Sequence, residues 1–292
     1  MESVKSILVA LSRDIASPQA LKRAIALARR YEASLHLFLC DSDSAYVLQH
    51  RYDRDGVAAA RQSSIARAYE YLHEQWNAFA IKDVRCDFDA VCESPLYEAI
   101  ARKVAHSSPD LVIRAIDGDG SNHGSALSGS DWELVRTCPA ALLLTRGRTW
   151  SERQRLAVAI DISGDEKPGL THAILRAAAQ FSCPGATELE LLYGCGRMPG
   201  VSMDLLRDEL ARRAAEAGAK ASAYHVLAGD PATSIAAFAA TRNYDVMVLG
   251  ALTHHKAPTA LVGTLTGKLI ERVDCDLLLV KPGTQSAART WS

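Results

Sequence analysis

Gly250 and Gly263 stand thirteen positions apart, the second followed by Thr264, between an apolar run that reads as a buried strand (DVMVLG, 245–250) and one that reads as a helix (LTGKLIERV, 265–273). Glycine at a strand end lets a ligand approach the backbone closely. The N–H groups that open a helix, with a threonine hydroxyl beside them, attract an anion without any cation. Asp161 closes another apolar run, LAVAI (156–160), where its carboxylate can accept from ribose hydroxyls or a base amino group. Sugar at one strand tip and phosphate at the other would make a nucleotide pocket, and His254, His255 and Lys256 add charge to the loop. Thr253 is discordant. It stands where a phosphate loop would carry a second glycine, and a β-branched residue suits that position only if φ is negative. Turn-forming is the commonest role for glycines such as Gly250 and Gly263, and Asp161 alone reads as a cap in DISGDEKP; the further match of Thr264 favours a ligand site.

Other chemistry is harder to assemble. His254 and His255 are adjacent, so their side chains point apart, and no Cys or carboxylate follows at metal-ligand spacing. Cys195 in YGCGRMPG reads as a loop cysteine near an arginine, a setting that can lower a thiol pKa, though an inert loop thiol is the simpler reading. Nothing marks a strained nucleophile turn, so there is no positive case for a hydrolase.

The strands carrying Asp161 and Gly250 must be neighbours for these residues to meet. In the first half, strands are expected at 6–11, 35–40, 84–91, 110–115 and 140–145, with helices at 17–31 (Ser17 as N-cap, Pro18 first), roughly 57–79, 95–105 and 131–137. From Leu156 the order repeats. Strands are expected at 156–160, 188–193, 221–227, 245–250 and 276–280, and helices at about 168–181, 202–217 (closed by Gly218), 231–242 and 265–273. Landmarks keep a nearly constant offset, Pro95 to Pro231, Asp110 to Asp245 and Cys138 to Cys275, which indicates a duplication.

Alternation of strand and helix calls for mostly parallel sheets covered on both faces. Two doubly wound, five-stranded α/β domains are expected, at 1–147 and 154–283, with a polar linker between them and a disordered tail at 284–292. The edge strands AALLLT and DLLLV would be exposed unless they cover one another, so the halves should pack as a pseudo-symmetric pair. In such sheets ligands bind beyond the strands' carboxyl ends where strand order reverses, between the first and fourth strands.

Composition narrows the function. A chain of 292 residues, 48% hydrophobic and 23% charged, suits two soluble domains of ordinary size. A net charge of -1 gives no general attraction to nucleic acid or an anionic membrane, and no stretch is long and apolar enough to span a bilayer. The N-terminus enters a strand-like run at once, without a signal segment, so a cytoplasmic protein is expected. Seven cysteines without a CxxC pair argue against both a disulfide framework and a zinc knuckle.

The segment GALTHHKAPTALVGTLTGKLIERVDCDLLLVKP (250–282), with a glycine, serine or threonine pattern followed by an arginine-containing helix, a cysteine and a last apolar strand, resembles universal stress proteins. GDPATSIAAFA (229–239) matches as well, and DWELVRTCPAALLL (131–144) resembles the corresponding part of tandem, E-like members in which two such domains are fused. The resemblance covers nearly the whole chain and is strongest over 225–282. It implies a Rossmann-like fold of the adenine nucleotide alpha hydrolase type, a stress-response role, and ATP, with magnesium, held by the first-strand aspartate and the glycine motif. Carried over, the cofactor-binding residues are Ile160, Asp161, Leu192, Gly250, Thr253, Gly263 and Thr264, with Thr253 replacing the motif's second glycine.

The first half departs further. Ser12 stands in the aspartate's place, Ala115 and Ser128 in the places of the first and third glycines, while Gly118 keeps the second. Its helix start, SGSD (128–131), has capping residues able to hold a lone anion, and this half reads as structural or as a site for a less polar ligand. The expected function is a regulatory binding module with an ATP-type pocket in the second domain. A homodimer and protein partners remain open. A non-nucleotide scaffold or hydrophobic-ligand protein is the alternative, and a slow ATP hydrolase would need a divalent ion and a positioned water for which the sequence names no residue.

Overall fold

The structure is a computed structural model; it describes residues 4–13, 18–50, 54–116, 127–164, 169–183, 185–196, 202–251 and 264–282. The first repeat begins with β1 (Ser6–Leu11), α1 (Pro18–Tyr31) and β2 (Ser34–Cys40). Next come α2 (Ser42–Gln49), α3 (Arg54–Asn77), β3 (Cys86–Val91), α4 (Leu96–Ser107), β4 (Leu111–Ala115), α5 (Gly129–Thr137) and β5 (Ala141–Thr145). The second runs β6 (Gln154–Ala159), α6 (Leu170–Phe181), β7 (Thr187–Cys195), α7 (Met203–Glu216) and β8 (Ala223–Ala228). It ends with α8 (Pro231–Arg242), β9 (Val246–Gly250), α9 (Thr264–Arg272) and β10 (Asp276–Val280).

Two compact units result. The described residues up to Ile116, with Leu127–Ala140, form one; Ala141 onward forms the other. In the first unit the parallel strand order is β3-β2-β1-β4. In the second, β10-β9-β6-β7-β8 is parallel throughout. β5 closes the second unit's sheet, antiparallel to β10, with Leu142, Leu143 and Leu144 opposite Leu279, Leu278 and Leu277. The two edge strands therefore cover each other, and β5 belongs to the second unit.

Local sequence explains most elements. α1 buries Ala20, Leu21, Ala24, Ile25, Leu27 and Ala28 on the stripe that a 3.6-residue period brings together. α8 starts with Asp230 accepting the Thr233 N–H and Pro231 in the first turn. Gly218, at φ +71°, follows α7 in the left-handed conformation that only glycine adopts without strain. Asp110 accepts the N–H groups of Lys5 and Ser6, and Asp245 does the same for Ser151 and Arg155, so each repeat's first strand is tied at its start by an aspartate ahead of the fourth.

One element is added and two expectations are corrected. The helix expected at roughly 57–79 forms as α3, and the additional α2 precedes it, capped by Asp41, whose carboxylate accepts from Ser44 N–H and from the Ser64 hydroxyl at 2.5 Å. Only Ala45 and Leu48 of α2 are buried, too few to register as a period. The offset between repeats is constant from α4 onward: Leu96 and Pro231, Leu111 and Val246, Gly129 and Thr264, Ala141 and Asp276 are each 135 apart. Pro95 therefore corresponds to Asp230 and Cys138 to Val273, so the proline and cysteine pairs are not equivalent positions. Cys195 is not a loop residue but the last residue of β7, 2% exposed. No disulfide joins any of the seven cysteines. Ser17 lies outside the described residues.

One polar cluster is built into the core of the second unit. Glu190 on β7, 3% exposed, accepts from Tyr244 Oη (2.6 Å) and bonds His225 Nε2 (2.9 Å), with Arg155 Nη2 3.6 Å away. Burial pushes the carboxyl pKa up, but the bonds from Tyr244 and His225 outweigh it and hold it below the usual carboxylate range. A depressed folded pKa stabilises the fold above the unfolded pKa and loses that contribution as the pH falls through the folded value. Glu190→Ala is expected to cost about 1–3 kcal/mol at neutral pH, because it strands the buried Tyr244 hydroxyl and removes the partner of His225. Glu190→Gln should cost less and flatten the stability loss below about pH 4. Urea unfolding at neutral and acid pH measures both.

Candidate functional site

The carboxyl ends of β6 and β9 are adjacent. Leu156, Ala157 and Val158 pair with Val246, Met247 and Val248, and carrying this register two residues on sets Ile160 beside Gly250. In each unit the first strand thus lies between the second and the fourth, and strand order reverses there. In sheets of this kind such a reversal separates the helices that follow the two strands, and ligands bind at that point.

Ile160 is buried at 3% and donates its N–H to Leu192 O (3.1 Å), which extends the β6–β7 ladder. Leu192 is fully buried in β7. Both are walls beneath the tip, with their paired main-chain groups committed to the sheet. Asp161 is half-buried. Its Oδ1 accepts the Ser163 N–H at 2.8 Å and its main-chain carbonyl accepts from Thr171 Oγ1 at 3.2 Å. The carboxylate therefore makes the local turn weighed from the sequence while remaining partly open to solvent.

Gly250 ends β9, and the space a Cβ would take is already filled: Leu170 Cδ2 would lie 2.8 Å from it and Ile174 Cδ1 3.2 Å. The glycine's bare face thus accommodates α6. Its carbonyl accepts from Thr266 Oγ1 at 2.6 Å, which fixes the first turn of α9 to the strand tip. Ala251 N–H donates to Val280 O at 2.8 Å, so β10 supports the tip from the other side. Thr264 opens α9 and is exposed. Thr253 and Gly263, with His254, His255 and Lys256, lie outside the described residues. The structure brings Ile160, Asp161, Leu192 and Gly250 together around one pair of strand tips.

In the first unit the equivalent tip has different chemistry. The 135-residue offset matches Leu249 with Arg114, Gly250 with Ala115, Gly263 with Ser128 and Thr266 with Asp131. Ala115 and Ile116 are buried, and Ser12 lies past the end of β1, with its carbonyl accepting from Tyr71 Oη at 3.4 Å. Ser128 caps α5, and Asp131 reaches back to the Ser128 N–H, so the helix start expected to hold a lone anion already carries a carboxylate. Gly118 lies outside the described residues. Sequence reading passed over Arg114; the signal was a lone guanidinium inside the apolar run DLVIRA, followed by an aspartate in the first turn of the next helix.

A groove of about 580 Å³ lies at the opposite ends of the first unit's strands, lined by Lys5, Arg29, Glu32, Ser34, Asp83 and Arg85 among others. There Asp83 holds the Arg29 guanidinium in two bonds of 2.7 and 2.8 Å, both side chains about half exposed. It is an ion-paired surface, remote from the strand tips. No described helix is long and apolar enough to cross a membrane.

The universal stress protein family model matches residues 3–146 and 152–281. Universal stress protein E of Escherichia coli (strain K12) is 24% identical over 304 residues, covering 97% of this chain and 95% of that protein. The universal stress protein E homolog of Haemophilus influenzae is 23% identical, covering 95% and 97%. The chain's fold is similar to that of a universal stress protein from Archaeoglobus fulgidus (TM-score 0.72, 14% identity, 95% of this chain and 98% of that one). It is also similar to that of a putative universal stress protein from Pseudomonas aeruginosa (TM-score 0.69, 20% identity, 96% and 94%).

Because Gly250 packs against α6, Gly250→Val is expected to destabilise the second unit by about 1–3 kcal/mol through overpacking. Adding Leu170→Ala should recover part of that loss, and a double-mutant cycle by urea unfolding measures the coupling.

Proposed function

The chain belongs to the universal stress protein family, with two copies of the family domain in tandem and a stress-response role, and we propose that it acts as a regulatory binding module whose second domain holds an adenine nucleotide. The observation that carries this reading is the meeting of β6 and β9 at their carboxyl ends, with the partly exposed Asp161 carboxylate on one side and the opening turn of α9 beyond the other. A carboxylate offers about four acceptor sites, which suits paired ribose hydroxyls or a base amino group. The first N–H groups of α9 have no partner within their own helix and carry the positive end of its dipole, which suits phosphate oxygens. Ile160 and Leu192 supply an apolar floor, and Thr266 holds the start of α9 against Gly250.

In this reading Asp161 positions the sugar or base, and Thr264 with Gly263 receives the phosphates. Magnesium would accompany the triphosphate as its counter-ion, bound through phosphate oxygens. Binding is the activity proposed, and no residue is assigned to turnover.

A second reading has its own support. Leu170 and Ile174 fill the space beside Gly250, which makes that wall apolar and suits a scaffold or a hydrophobic ligand. Equilibrium titration with labelled ATP separates the two. Saturable binding is expected, with Asp161→Ala weakening it roughly ten- to a hundred-fold and Gly263→Val abolishing phosphate-dependent affinity. Absence of saturable binding at millimolar nucleotide removes the nucleotide reading, and an apolar adduct in native mass spectrometry of the purified protein selects the other.

A further inference from the structure

Arg114 and Asp131 form a buried ion pair in the first unit, with side chains 4% and 5% exposed. Arg114 extends from β4, donates Nε–H to Asp131 Oδ1 at 3.3 Å, and reaches the Ala10 carbonyl on β1 with Nη1 at 3.4 Å. It therefore spans the two strand tips at the reversal of strand order. Asp131 Oδ2 accepts from the Ser128 N–H (3.2 Å) and the Ser128 hydroxyl (2.7 Å), while the Asp131 N–H donates to Ser128 Oγ (3.1 Å). One carboxylate so receives a guanidinium, a main-chain N–H and a hydroxyl at the start of α5. These donor types are the ones that recognise a phosphate group.

The second repeat carries no charge at either position. Leu249 replaces Arg114 and Thr266 replaces Asp131, its hydroxyl going to the Gly250 carbonyl. Two charges buried together in one repeat and absent from its counterpart are not required by the shared fold. Burying a guanidinium and a carboxylate costs desolvation that a neutral pair avoids.

We infer that Asp131 is a resident anion, which with Arg114 closes the first unit's strand tips to phosphate and confines nucleotide to the second. The inference rests on reading the start of α9, and by equivalence that of α5, as the phosphate position. An incoming phosphate would meet Asp131 as a like charge at a place where Arg114 is already neutralised. Removing the carboxylate would leave Arg114 buried beside an open helix start, which is an anion site.

The test is chemical rescue. Wild type, Asp131→Ser, Asp131→Asn and the double variant Arg114→Leu with Asp131→Thr are melted in potassium phosphate and in potassium chloride at matched ionic strength. In chloride, Asp131→Ser should melt roughly 10 °C below wild type. Phosphate should recover at least half of that deficit with saturation, beyond any rise in wild type, and the double variant should show neither deficit nor recovery. If phosphate recovers neither Asp131→Ser nor Asp131→Asn more than it stabilises wild type, in melting or in yield of folded protein, the pair is a structural salt bridge only and the inference fails. ATP titration of wild type is read separately. Rescue without wild-type ATP binding keeps Asp131 as the anion that closes the first unit's tips but removes the nucleotide site of the second domain, and ATP binding without rescue does the reverse.

Discussion

Parallel pairing of β6 with β9 is the constraint from which the candidate site follows. A sheet that continued in chain order would have set β9 beside β8. Instead the order β10-β9-β6-β7-β8 reverses at β6, and such a reversal carries apart the helices that follow the two strands. The ladder pairs Val158 with Val248, so backbone register sets Ile160 beside Gly250 and Asp161 one residue beyond. Asp245 reinforces this from below by holding the start of β6 against the start of β9.

The same constraint acts in the first unit, where β1 lies beside β4 and Asp110 ties their starts together. What differs is the chemistry placed on an equivalent frame. At one tip a leucine and a threonine leave the helix start neutral; at the other an arginine and an aspartate fill it. From α4 onward duplication preserved the backbone positions to a constant offset of 135 and released the side chains at the strand tips.

Gly250 shows that one residue can answer to two demands. A glycine at a strand tip before a helix start reads as a place for a ligand's phosphates, yet here its missing side chain also makes room for Leu170 and Ile174. The packing of α6 would demand a small residue even if nothing ever bound. Asp161 is similar, since its turn with Ser163 shapes the chain leaving β6 whether or not a ligand is present. The site is therefore built from groups that the fold already employs.

The sequence by itself determined the alternation of strands and helices, the duplication and the pairing of apolar edges, because each is written in local period, capping residues and turn chemistry. It also marked Asp161 and Gly250 as strand-end residues. Tertiary structure alone decided that Leu170 stands over Gly250 and that Arg114 finds Asp131. Those contacts join residues far apart in the chain, through register and packing that no local period encodes. The eight residues of α2 stayed illegible for a related reason: two buried side chains do not make a period, and the helix is held instead by its Asp41 cap and by Ser64, 23 positions away from it.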